Sequence, residues 1–415
     1  MRHIFVQLLG IDVVFTTKVE DFIKHAGPKI TYTKQPLQNE FFIRSNDLLF
    51  EQGINDLPIH VYEWEGTPCF FRTDGQSAIP FDIFSASFYL LSRYEEYLPH
   101  VKDALGRFPP EASVAFQHGF LDRPVVDLWV RSFFRALKER FPDIDAETKS
   151  YRFTAIVNVT VSHKYALRGP LRSLAGLLAD ISRFRFSRMA KRVQVWFDRT
   201  RDPYDNFSAL MDLHKKYTKR TMFFFQFAEN ATHDRNISIH RNRFRYLIKS
   251  VADYSIVSLS ASRAAANELE TLKLEKQRLS NLINRPVKYS RMRYNRVQVP
   301  HTYRNLVDAE FTEDYTMGYT YHPGFRAGTC SPFAFYDINL EVRQPIKIYP
   351  FAVCDHALRK YKRPQEVFDS LDPIYQSVKT VKGHLIMIFS NELLGRYHKI
   401  VWMQLYSNLL KRYYV

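Results

Sequence analysis

The 415-residue sequence predicts an α/β protein in two parts, an N-terminal α+β region followed by a larger unit of repeated strand and helix pairs. Three observations carry that prediction. The chain is too long for one ordinary core, its hydrophobic content of 46% can fill two, and beyond residue 150 apolar strand-like runs alternate with helical stretches. With 25% charged residues and no repeat or low-complexity tract, wholesale disorder is excluded.

In the first 150 residues, short β-like runs are expected at 4–9, 13–16, 40–43 and 59–62, separated by turns. After Phe81 the period changes. Phe84, Phe88, Leu91 and Tyr94 recur at spacings near three and four, which predicts an amphipathic helix with Ser92 and Arg93 on its other face. A second helix is predicted over 124–141, burying Val126, Leu128, Val130, Phe133 and Leu137. Pro142-Asp-Ile-Asp145 reads as a connection and sets the domain boundary near residue 150.

Beyond the boundary, 151–159 and 221–227 are rich in β-branched and aromatic residues, as parallel strands covered on both faces require. Helices are expected at 170–186 and 206–216, and further strands at 256–259, 287–290, 315–318, 346–351 and 384–389. Repeated units of this kind form a barrel or a doubly wound sheet, and both place a site at the C-terminal ends of the strands.

Lys and Arg number 59 against 43 Asp and Glu, a formal charge of +16, so anionic partners are expected: phospholipid head groups, nucleotide-linked sugars or anionic glycans. Nucleic acid is not expected, because zinc-finger spacing and RNP-like aromatic motifs are both missing from the sequence. Three cysteines, Cys69, Cys330 and Cys354, lack metal-ligand spacing and suit buried positions in a reducing compartment. No run approaches the roughly 20 apolar residues of a membrane helix, and the N-terminal residues do not develop into a signal peptide. The expectation is a cytoplasmic protein, with peripheral contact to the inner membrane as a further option.

Four segments carry a specific resemblance: Phe81-Asp-Ile-Phe-Ser-Ala-Ser-Phe88, Arg93-Tyr-Glu-Glu-Tyr97, Glu313-Asp-Tyr-Thr-Met-Gly-Tyr319 and Gly324-Phe-Arg-Ala-Gly-Thr329. They resemble a bacterial family, common in Bacteroidetes, that joins an N-terminal domain to a polysaccharide-deacetylase-like domain of NodB-homology type. The resemblance implies an N-terminal α+β domain over 1–150 and an irregular (β/α) barrel over 151–415. It also implies a place in carbohydrate metabolism and surface polysaccharide biosynthesis.

The positions that the family uses for chemistry are changed. Asn158-Val-Thr160 stands where the resemblance implies Asp-x-Asp, Ser260 and Arg293 stand where it implies metal-binding His, and Ser390 replaces the His of a His-Asn-Glu motif. Asn cannot act as a base near neutrality, Thr is a poor ligand for a divalent cation, and Arg stays protonated and repels one. Metal-bound water also needs ligands, an open position and a base together. The sequence therefore predicts an inactive homologue, a pseudoenzyme, with no catalytic residues, no metal and no cofactor.

Ligand contacts are expected at Arg293, Arg326, Asp314 and Asp355, with Asn158, Thr160, Ser260 and Arg293 lining one pocket at the strand ends and a sugar or anionic glycan precursor as the partner. Arg326 and Asp314 can instead form a buried ion pair that fixes loops. One alternative is an active deacetylase with a rebuilt zinc-type site from His163, His322 and Asp355, with His356 nearby; another is an interaction subunit without a small ligand. From Arg168 to Arg201, basic residues alternate with Leu177, Leu178, Ile181, Phe184, Phe186, Val195, Trp196 and Phe197. This segment is expected to cover the barrel with its apolar side inward, and the alternative is a membrane-surface anchor.

Overall fold

The computed structural model describes residues 1–217, 221–229, 236–395 and 401–414. The chain opens with a wide π-type helical stretch, His3–Leu9, followed by α1 (Val19–Lys24), the parallel pair β1 (Ile30–Thr33) and β2 (Phe41–Arg44), and the hairpin β3 (Tyr62–Trp64) and β4 (Thr67–Cys69). Glu65 and Gly66 turn that hairpin with positive φ at both residues, the conformation that matches strand twist. The run at 4–9 is helical rather than β because Phe5 packs edge-on to Phe133, so tertiary contact decides an ambiguous apolar pattern. Residues 13–16 form no strand, and the run expected at 59–62 begins only at Tyr62.

Helix α2 (Ile83–Leu91) starts at Asp82, whose carboxylate accepts from the Phe84 and Ser85 amides at 2.9 and 3.0 Å. Ser92 and Arg93 are buried, contrary to the outward face expected for them. Arg93 takes a left-handed backbone that turns its guanidinium inward to carboxylates. After α3 (Val114–Gln117), helix α4 (Val125–Arg140) follows the predicted bounds closely, although Trp129 is buried where Leu128 was expected. Asp127 on α4 accepts from Thr329, Ser331 and the Cys330 amide and ties this region to the rest of the chain.

The remaining elements are β5 (Arg152–Val159), α5 (Pro170–Ser182), α6 (Phe186–Trp196), α7 (Phe207–Tyr217), β6 (Met222–Phe225), α8 (Asn242–Tyr254), β7 (Ile256–Ala261), α9 (Leu269–Ile283), β8 (Tyr289–Met292), α10 (His301–Asp308) and β9 (Glu313–Asp314). They continue with β10 (Phe333–Asp337), β11 (Val342–Ile348), β12 (Val353–Cys354), α11 (Asp355–Leu358), α12 (Pro364–Thr380), β13 (His384–Ser390), α13 (Asn391–Leu394) and α14 (Trp402–Tyr413). One mixed sheet has the order β10-β11-β9-β8-β7-β6-β5-β13-β12, parallel throughout except at β10. The strand expected at 315–318 is confined to Glu313–Asp314, because the Asp314 carboxylate takes the Thr316 amide at 2.9 Å and bends the chain.

The row of strands is linear, yet one stretch touches both of its ends. β11 pairs with β9, Tyr349 and Phe351 donate to the Asp314 and Met317 carbonyls, Ala352 donates to Ile386, and β12 pairs with β13. Side chains alternate along each strand. Ala155, Val157, Phe223 and Phe225 face a large core shared with the helices, whereas Ile156, Met222, Phe224, Ile386 and Ile388 face a second, smaller core with Tyr315, Phe351 and Cys354. A separate cluster holds the N-terminal apolar residues, joined by Tyr319 and Ile338. All three cysteines are free and buried, as expected.

Candidate functional site

The side-chain alternation that buries Ile156, Ile388 and Phe224 carries on to polar residues at the strand ends. Asn158 and Ser390 are direct ladder partners, Ser260 lies in the ladder beside Arg291, and Gln226 follows β6. Arg293 follows β8, donates through Nη1 to Gln226 Oε1, and lies 4.8 Å from the Tyr294 ring. Thr160 Oγ1 accepts from Asn158 Nδ2 at 3.3 Å. Asn158, Thr160, Ser260, Arg293 and Ser390 thus share the C-terminal side of the sheet. They do not wall the cavity described below, and Ser260 is buried.

Asp355, at the start of α11, is the electrostatic centre of this end. Ser390 donates to its Oδ2 through both N and Oγ, at 2.9 and 2.5 Å, and His356 Nδ1 donates to Oδ1 at 2.8 Å. Burial alone would raise the Asp355 carboxyl, but His356, Arg359 and Ser390 hold it far below the usual carboxylate range. The same burial would lower His356, and its bonds to Asp355 and Cys354 push it up to about 10.

Among the described residues, Cys354, Asp355 and His356 are the group whose donor atoms come within 4.8 Å of one another, so Asp355 and His356 are brought together while His163 and His322 lie elsewhere. His163 contacts Ser162, and His322 stacks edge-on to Phe116. The buried Arg291 lies close enough to act electrostatically on both Cys354 and Asp355, and its fixed positive charge opposes a divalent cation among these donors. Nor is this a nucleophile relay, because Cys354 Sγ and Asp355 meet the same nitrogen of His356.

Asp314 and Arg326 form two separate networks rather than the ion pair considered from sequence. Asp314 is fully buried and takes Ser290 Oγ at 2.9 Å and Thr316 Oγ1 at 2.6 Å; burial raises its pKa. Arg326 forks onto Glu96 at 2.8 and 2.6 Å, and Arg93 reaches Glu96 and Glu95 at 2.7 Å each. Burial opposes ionisation of Glu96, yet Arg326 and Arg93 bring it down to about 2. The charges of Arg93-Tyr-Glu-Glu96 were the available sequence signal for this cluster.

Beside it lies a cavity of about 260 Å³ between residues 103–111 and 318–326, walled by Phe108, Asn295, Tyr319, Thr320, Tyr321 and His322. Arg107, also on the wall, is occupied by Asp103 at 2.7 Å, Thr320 Oγ1 at 2.7 Å and the Tyr294 carbonyl at 3.0 Å. Asn295 links the cavity to the strand ends, donating to Thr320 Oγ1 at 2.9 Å and accepting from Arg291. Behind the wall, Tyr319 Oη and His322 Nδ1 are buried atoms with no hydrogen-bond partner. Burial pushes the Tyr319 hydroxyl up to about 12, so it remains a donor at ordinary pH. Sequence reasoning missed Tyr319 as a site residue; the dense run Tyr319-Thr-Tyr-His322 was its signal.

Residues 1–142 match a family of unknown function, DUF7033. Comparison with curated proteins gives no match. Among solved structures, the chain is similar to a Mycobacterium smegmatis protein assigned as a polysaccharide deacetylase, at 11% identity and TM-score 0.42, covering 64% of this chain and 86% of that one. It is also similar to Puue allantoinase, at 11% identity and TM-score 0.40, covering 76% and 90%. A third is BA3943 of Bacillus anthracis, described as a CE4 family pseudoenzyme, at 9% identity and TM-score 0.32, covering 64% and 62%.

Proposed function

We propose that this chain is a polysaccharide-deacetylase-like protein in two parts, 1–150 and 151–415, that has lost metal-dependent hydrolysis and binds a sugar, assisting surface-glycan assembly. Closure of the sheet into an irregular (β/α) barrel is supported by the stretch 342–354, which bonds to β9 and then to β13. Loss of hydrolysis is supported by the residues gathered at the strand ends. Asn158, Thr160, Ser260 and Arg293 offer neither a base nor an anionic or imidazole ligand, and Ser390 is spent on Asp355.

The observation that carries the sugar reading is the cavity walled by Phe108, Tyr319, Tyr321 and His322 beside the strand ends. The aromatic rings on that wall suit the apolar faces of a pyranose, and the volume suits one ring rather than a long chain. Arg326, already matched within the protein, shapes the wall, and Asp314 is spent on Ser290 and Thr316. Arg293 and Asp355 are the proposed contacts for a substituent that reaches the strand ends.

Saturation-transfer NMR with glucose, N-acetylglucosamine and glucuronate tests this on wild type, Tyr321→Ala and Arg293→Met. The expected result is binding that weakens about tenfold in Tyr321→Ala, the loss of an exposed aromatic face on the cavity wall. Wild type that binds none of the three sugars, or one stoichiometric transition metal removed by chelator together with deacetylase activity, would overturn the reading.

A further inference from the structure

The helical pair α5 and α6 is built inside out. Between the two helices lies a polar staple: Arg192 donates to Asp180 at 2.7 and 3.1 Å, both side chains are buried, and Arg192 also lies 4.9 Å from the Tyr165 ring. Gly176 admits that guanidinium, because a Cβ there would stand 2.4 Å from it. Val195 is buried and Leu177 half-buried, but most of the large apolar residues are outside. Leu171, Leu174, Leu178 and Ile181 recur at helical spacing along one stripe of α5, and all are exposed, Leu171 by 84%. At the tip between the helices, Phe184 is 80% exposed and meets Phe186 at 6.2 Å, while Trp196 and Phe197 stand open at the far end of α6. This corrects the expectation that the apolar side of the segment covers the sheet.

Eight exposed large apolar side chains within 27 residues exceed the scattered exposure of an ordinary surface. Its surroundings select the partner. Residues 168–201 carry nine Lys and Arg against two Asp, and one of those two, Asp180, is already taken by Arg192. Arg183, Arg185 and Arg188 frame the two tip phenylalanines and are exposed. A protein partner would have to be both greasy and strongly acidic. An anionic bilayer offers both in the right order, phosphates at the level of the guanidiniums and acyl chains beneath them, with Trp196 suited to the boundary. Among the described residues, no helix is long and apolar enough to cross a membrane, which fits seating on the surface.

We propose that α5 and α6 dock the protein on an anionic phospholipid surface, with Phe184 and Phe186 entering the acyl boundary and the flanking arginines holding lipid phosphates. This inference is independent of the sugar reading. Flotation with vesicles of equal parts phosphatidylcholine and phosphatidylglycerol, against pure phosphatidylcholine, tests it on the full chain. Wild type is expected to float with the anionic vesicles and to be released by salt. Phe184→Ser/Phe186→Ser and Arg183→Glu/Arg185→Glu/Arg188→Glu are each expected to cut binding at least about tenfold, with circular dichroism unchanged because all five side chains are exposed. Three results would overturn the proposal: no flotation of wild type, flotation unaffected by the phenylalanine changes, or a wild-type dimer that the phenylalanine changes dissolve, which would make a second copy the partner.

Discussion

The ion cluster of Arg93, Glu95, Glu96 and Arg326 and the cavity wall of Tyr319 and His322 are neighbours, with the Arg326 guanidinium 5.6 Å from the Tyr319 ring. Both are buried and polar. In the cluster, Glu96 takes both arginines and Glu95 also accepts the Val114 amide, whereas on the wall a phenol and an imidazole nitrogen are left without partners. Paired buried charge holds 93–96 against 326 and makes one scaffold of distant chain segments, although Arg93 Nη1 itself lacks a partner; the wall of Tyr319 and His322 contributes no such pair. Burial alone does not separate the two regions, but the pairing of charge does.

Breaking the cluster should have the largest effect. Arg326→Met leaves Glu96 with half of its compensation and is expected to cost about 3–5 kcal/mol in urea unfolding. A loss below about 1 kcal/mol would show that water reaches Glu96 and that the cluster is no scaffold.

The acid limb sharpens the same point. The folded pKa of Glu96 is depressed from 4.5 to about 2, so its contribution is present above pH 4.5 and is lost as pH falls toward 2. Removing that ionisation by Glu96→Gln should flatten the stability profile over this window, by on the order of 3 kcal/mol across it. Profiles of equal slope would remove Glu96 from the account of acid unfolding.

His356 should act on the opposite limb and more weakly. Its folded pKa is raised from 6.5 to about 10, so its contribution is full below pH 6.5 and fades as pH climbs to 10. The ring is partly exposed, which screens the pair with Asp355. His356→Gln is expected to lose a shallow alkaline decline in melting temperature that wild type has; an identical decline in both proteins would assign it to other groups.

The smallest stability change belongs to the wall. Tyr319→Phe removes a hydroxyl that has no partner, so stability should stay within about 1 kcal/mol of wild type or rise slightly. A loss of 2 kcal/mol or more would mean that the hydroxyl is bonded in solution and that the contrast between cluster and wall fails.

Much of the strand framework was legible because buried parallel strands need long apolar runs, and 151–159, 221–227 and 384–389 have few other uses. Helix α4 was legible from its period and from the connection after it. The run at 4–9 was not, since six mostly apolar residues fit either a strand or a helical turn until Phe133 is placed against Phe5. At the strand ends, Asn158, Thr160, Ser260, Arg293 and Ser390 could be placed by motif position. The cavity could not, because 103–111, 295 and 318–322 are distant in sequence and meet only through folding.

The sequence by itself determined which residue types stand at each position: a neutral amide, three hydroxyl groups and a fixed cation at the strand ends, a basic excess of +16, and an apolar stripe on α5. Only the tertiary structure decided what each of them faces. Period tells that a helix has an apolar side but not whether protein covers it, and a charge in a motif does not name its partner. Arg93 and Arg326 were drawn onto Glu96 because their chain segments converge there, whereas Leu171, Leu174 and Phe184 stayed in the open because Asp180 and Arg192 took the inner face of the pair. The physical reason is that burial and pairing are properties of a three-dimensional neighbourhood, which a local pattern constrains but does not specify.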